Sequence, residues 1–135
     1  MTRQFAYDAA REPVAPVLPL GVARPLSGAM VLLRAIVVSG ADCTVVPVAI
    51  ARQLELPVVG RVEVAGVMGA ARRMPVYAAA AELPGLRTIV RILAIGTEAI
   101  IGRDLLNRMV VRLDGPAATV SVERPPRRRR SRVAR

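Results

Sequence analysis

The core of this chain has to be built almost without rings. Apolar residues fill 53% of its 135 positions and aromatic residues only 2%, so Val, Leu, Ile and Ala must make up the interior. β-branched side chains are stiff at χ1 and pack well on a pleated surface, which makes sheet the default. At this length one domain is expected, large enough to bury a core and too short for two. The same composition removes whole classes of chemistry. The sequence has no histidine and a single cysteine, Cys43, so Ser-His and Cys-His nucleophiles, histidine metal sites and an internal disulfide are ruled out. No cofactor and no metal are expected.

The formal net charge of +10 is unevenly placed, because residues 124–135 hold seven arginines and no acid, leaving +3 for residues 1–123. That stretch opens on Pro125 and Pro126 and has no apolar periodicity, so it reads as a disordered tail that cannot bury surface. Two roles fit it. One is weak, salt-sensitive contact of Arg127, Arg128, Arg129 and Arg130 with nucleic acid or another polyanion. The other is a solubilising end, favoured by the lack of an aromatic between the arginines on which a base would stack. No uncharged run approaches the roughly 20 residues a membrane helix needs. Arg3, Asp8, Glu12 and Pro13 stand where a signal peptide would place its apolar stretch. The expectation is a soluble, cytoplasmic protein that does not engage a membrane.

Along the chain, residues 1–14 are polar and mixed and read as a flexible lead-in. Pro13–Pro19 contains three prolines and suits an extended approach or an edge strand, so order is expected from about Ala15 and the domain is placed at 15–123. Met30–Val38 is an apolar run broken only by Arg34 and predicts a buried strand. Gly40 then allows a tight loop, and Pro47 opens a short helix reaching about Leu54. Arg61–Ala65 and Arg73–Ala80 predict a hairpin around Gly66–Ala70, a small-residue tip. Leu83-Pro84-Gly85-Leu86 has the order of a type II turn. Thr88–Ile95 predicts an interior strand buried on both faces, followed by a turn at Gly96–Glu98 and a short strand at Ala99–Ile101. A short helix over Arg103–Met109 and a closing hairpin of Val110–Leu113 with Ala118–Val122 complete seven or eight strands and two short helices.

Two segments some 60 residues apart then narrow the reading: Val38-Ser39-Gly40-Ala41-Asp42-Cys43-Thr44-Val45-Val46-Pro47 and Ile100-Ile101-Gly102-Arg103-Asp104-Leu105-Leu106-Asn107. Together they resemble the two signature segments of the retropepsin-like aspartic peptidases, over roughly residues 15–122. The resemblance implies an all-β, retropepsin-like acid protease half-barrel with a flap hairpin and one or two short helices. It also implies a homodimer, since a retropepsin chain supplies one catalytic Asp and the site lies on the twofold axis.

In that family the first segment opens on the catalytic Asp; here Val38 stands in its place. Two carboxylates about 3 Å apart share a proton, the ionised one activating water and the protonated one polarising the peptide carbonyl. A pair of isopropyl groups does neither. The other positions are filled. Ser39 is a permitted variant that braces the two loops, and the Gly40 carbonyl faces the substrate backbone. Asp42 holds Arg103 in a structural pair. Gly40, Ala41, Asp42 and Cys43 on the floor, with Val67, Met68 and Gly69 at the flap tip, would contact an extended peptide. Cys43 lines a subsite or serves as a small apolar filler. Asp104 and Asp114 read as a helix N-terminal acid and a turn residue. Asp42 does not replace the missing acid, because an arginine partner stabilises its charged form.

The leading expectation is therefore an inactive pseudopeptidase, dimeric, that binds a peptide or acts as a scaffold. Two alternatives compete with it: an aspartic endopeptidase active through another group or with an intact partner, and a polyanion-binding protein that works through its tail.

Overall fold

The computed structural model describes residues 2–65 and 69–125. In chain order the elements are β1 (Thr2–Ala6), β2 (Val17–Ala23), β3 (Met30–Val37), β4 (Val45–Val46), α1 (Val48–Gln53), β5 (Val58–Val64), β6 (Arg72–Leu83), β7 (Leu86–Ala94), β8 (Ala99–Ile101), α2 (Arg103–Leu106), β9 (Val110–Asp114) and β10 (Thr119–Glu123). The all-β class and the two short helices are as expected. The larger sheet runs β2-β3-β8-β4-β7-β6-β5, and β2 also pairs with β6. That extra pairing closes a six-stranded barrel and leaves β5 as an outer strand. The order β1-β10-β9 forms a separate three-stranded sheet from the two ends of the chain.

The interior is aliphatic, as the composition demands. Leu18, Leu20 and Val22 of β2 meet Val46, Ile92, Ile101 and Leu105, all of them buried. Ala79 and Ala81 of β6 are buried beside them, small side chains where β6 lies between β2 and β7. The rings of Phe5, Tyr7 and Tyr77 pack only against the margin of this cluster. Gly85 takes φ of 79°, the left-handed value that the third position of a type II turn requires.

Several expectations are corrected. The lead-in placed at residues 1–14 contains β1, whose register with β10 runs from Thr2 opposite Glu123 to Ala6 opposite Thr119. Its side chains are mostly exposed, so backbone pairing rather than an apolar face defines it. β2 is not an edge strand: it pairs with β3 from Val17 to Ala23 and with β6 from Gly21 to Ala23. Pro19, which has no N–H to donate, lies outside the stretch that pairs with β6. β7 is buried on both faces only over Ile92–Ala94, while Arg87, Ile89 and Arg91 are exposed. The second helix ends at Leu106 rather than Met109. β5 and β6 pair antiparallel as the expected hairpin, but Val67 and Met68 of its tip lie outside the described residues, as does the tail from Pro126 onward. Among the described residues no helix is long and apolar enough to cross a membrane.

Candidate functional site

Parallel pairing brings the two signature segments together. β3 and β8 run side by side with Ala35, Ile36 and Val37 opposite Ala99, Ile100 and Ile101, so each delivers its loop to the same end of the barrel. The Val38 N–H donates to the Ile101 carbonyl at 3.0 Å, and the Ala41 N–H donates back to the Val38 carbonyl at 3.2 Å, closing a turn over Ser39 and Gly40. The Arg103 N–H donates to the Ala41 carbonyl at 2.9 Å. Gly102 sits against this loop so closely that a Cβ there would lie 2.5 Å from the carbonyl carbon and oxygen of Cys43. Only glycine fits that approach without moving backbone.

The strongest link between the segments lies at Thr44 and Asp104. Thr44 is 1% exposed and is the sole buried polar residue among those described. Its hydroxyl donates to Asp104 Oδ1 at 2.7 Å, and its N–H donates to Asp104 Oδ2 at 2.9 Å. The same hydroxyl accepts from the Gly102 N–H at 3.2 Å, and Asp104 Oδ1 also accepts from the Leu105 N–H at 2.8 Å. Every donor at this junction thus has an acceptor. Sequence reasoning gave Asp104 only a helix-terminal role. The available signal was Thr44 itself, a hydroxyl at the start of an otherwise apolar Val45-Val46 run.

Asp42 and Arg103 do meet. Arg103 Nη2 donates to Asp42 Oδ1, and Arg103 Nη1 donates to the Ser39 carbonyl at 3.0 Å. The side chains are 88% and 46% exposed, respectively, so water screens the pair and holding it offers little. Arg103→Ala is therefore expected to shift stability by no more than about 1 kcal/mol, read as a small change in urea midpoint. A loss of several times that size would mean the pair is shielded from water in the working protein.

The remaining charge chemistry at the loop is quiet. Partial burial, with Asp104 and Asp42 nearby, pushes the Cys43 thiol up from its ordinary value. It is a thiol and not a thiolate at neutral pH, which suits a wall residue and not a nucleophile. Among the described residues no group of three or more His, Cys, Asp or Glu side chains stands where it could hold a metal ion.

An open cleft of about 710 Å³ lies between this loop and the β5–β6 hairpin. Ala41, Asp42 and Cys43 line it from the loop, as expected, and β5 contributes Val62 to Val64. Gly40 and Gly69 are not part of its wall. Ser39 and Gly40 are exposed at the loop tip, and Val38 is half-buried behind them. Val67 and Met68, and Arg127 to Arg130, lie outside the described residues. Sequence reasoning missed the cleft's floor, formed by Val45, Arg91, Leu93 and Ile95. What this arrangement offers is a mostly apolar trough bordered by β5, the outer strand of the sheet among the described residues, a geometry that accepts an extended chain by main-chain pairing.

No protein-family model and no curated protein matches the sequence. Among solved structures, the chain is similar to a retropepsin-like aspartic protease from Rickettsia conorii, with 13% identity over 90% of this chain and 91% of that one, at a TM-score of 0.60. The retroviral protease-like domain of Ddi1 from Leishmania major aligns with 20% identity over 82% of this chain and 95% of its own, at a TM-score of 0.48. The EIAV protease in complex with an inhibitor aligns with 18% identity over 69% of this chain and 86% of its own, at 0.45.

Proposed function

We propose that this chain, which has the retropepsin-like fold, is a catalytically inactive domain of that architecture that dimerises and holds an extended peptide in its cleft or serves as a scaffold. Val38 carries the reading. It occupies the first position of a loop whose turn, glycine contact and inter-segment hydrogen bonds are otherwise in place. A valine side chain has no oxygen to accept a proton from water or to donate one to a carbonyl. Fold alone does not supply activity when the reacting group is missing.

The dimer is supported by the surface. Among the described residues the terminal sheet leaves β1 and β9 as edges, and β9 exposes about half of both Val110 and Leu113. Such a surface is covered economically by a second copy related by a twofold axis. The interface is placed at Ser39, Gly40 and the strands near the termini. Sedimentation at tens of micromolar is expected to give a dimer, and a monomer there would overturn the assignment.

For the peptide, the purified chain is incubated with a mixture of extended peptides and the retained fraction identified by mass spectrometry. Intact peptides recovered with the protein support the reading. Cleaved products would favour the endopeptidase alternative, and recovery of none would leave only the scaffold.

A further inference from the structure

We propose that Arg91 selects an acidic side chain on the peptide that the cleft accepts. This rests on the peptide-binding reading above and adds the chemistry the site prefers.

The floor of the cleft is set by strand alternation. Arg91, Leu93 and Ile95 occupy alternate positions of β7 and the residue just beyond it, so they share a face, and all three line the cleft. β4 runs parallel to β7 with Val45 opposite Leu93. Cys43, two residues before β4, lines the same cleft. On the other side, β6 places Ala78 opposite Arg91. Arg91 therefore stands at one end of a row on β7 whose other members are apolar, with the small Ala78 as its cross-strand neighbour.

Arg91 is exposed, and among the described residues it makes no ion pair. The other charged residues lining the cleft are Asp42 and Glu63. Asp42 is held by Arg103, and Glu63 lies across from Arg73 in the β5–β6 register on the opposite wall of the cleft from Arg91, making no ion pair with it. The Cys43 thiol is pushed up and stays uncharged. Arg91 is the one basic side chain that lines the cleft and makes no ion pair among the described residues, which makes it a recognition element for a carboxylate. The planar guanidinium fork matches a carboxylate's two oxygens, and a peptide lying over it would exclude water and strengthen the contact.

The test uses the full chain and a set of extended, Val- and Thr-rich peptides blocked at both ends, so that only one side chain supplies the carboxylate. A single Glu is moved along the peptide, each version paired with its Gln isostere, and affinities are read by fluorescence anisotropy at low salt. At one position the Glu peptide should bind about fivefold tighter than the Gln peptide. Arg91→Gln should abolish that difference, and Arg91→Glu should invert it in favour of Lys, with thermal melting of both variants unchanged because the side chain is exposed. Equal binding of Glu and Gln peptides at every position, or a preference that survives Arg91→Gln, overturns this proposal and leaves the peptide-binding reading standing. Failure of the natural chain to bind any peptide of the set overturns both.

Discussion

Replacing Asp104 by Ala is expected to lower the stability of the domain by about 2–4 kcal/mol and to loosen the loop that follows β3. The carboxylate accepts from the Thr44 hydroxyl, the Thr44 N–H and the Leu105 N–H. Removing it leaves the Thr44 donors without a partner at a residue that is 1% exposed. Each buried polar group so abandoned costs about 1–3 kcal/mol, more than the same bond contributes when made. Thr44→Val deletes the hydroxyl while nearly keeping the volume, and its expected cost is smaller, about 1–2 kcal/mol, because one backbone donor at Gly102 and one carboxylate oxygen lose a partner. Urea unfolding with an unchanged slope and a lower midpoint is the readout. The comparison with Arg103→Ala sharpens it. If Asp104→Ala costs no more than that exposed pair, the two segments are not joined through Thr44.

Val38→Asp is expected to turn a silent protein into an acid-to-neutral peptidase, with hydrolysis on the order of 10²–10⁴ above the natural chain's background. The backbone at this position is already fixed by the Val38 N–H bond to Ile101 and by the turn that closes on Ala41. In a twofold dimer that contacts through Ser39 and Gly40, two new carboxylates would come together and share one proton. Their repulsion raises one pKa in the dimer above its value in the separated chains. The dimer of the variant is then tightest below the ordinary carboxylate range and weakens as pH rises through the raised pKa. Activity and dimerisation should therefore decline together toward neutral pH, as followed by peptide hydrolysis and sedimentation on the same samples. A folded, dimeric, inert variant would mean that the cleft has lost more than its acid.

The parts of this molecule that were legible in its sequence are those whose cause is local. Gly40 marks the tight loop, and Met30–Val38 and Ala99–Ile101 announce the strands that lead into the two loops, although β3 is not the buried strand expected: Ala35 alone is fully buried in it, and the close approach at Gly102 was not read. The resemblance of the two segments to the retropepsin-like signatures implied the architecture, and the fold similarity to the Rickettsia conorii structure agrees with it. What could not be read depends on partners far along the chain. β1 is a mostly exposed polar segment defined by its pairing with β10, so nothing in residues 2–6 marks it as ordered. The prolines of Pro13–Pro19 concealed that β2 closes the barrel, because the ladder to β6 begins only at Gly21. Asp104 had a sufficient local explanation as a helix-terminal acid, and its bond to Thr44 spans 60 residues. The exposure of Asp42 and Arg103 follows from how the loop meets solvent, which residue type does not encode. Arg91 sits within a run read as buried throughout, and only the register with β4 and β6 turns it toward the cleft.

An intact loop and cleft should be chemically silent here because Val38 supplies no oxygen. Prolonged incubation of the natural chain with a broad peptide library at acidic to neutral pH, with every new terminus sought by mass spectrometry, decides whether this holds. The peptides are expected to remain uncleaved at protein concentrations where the dimer would be populated. Protein-dependent cleavage that persists when Val38 is replaced by Ala would contradict it, since the hydrolysis would then come from a group elsewhere in the cleft.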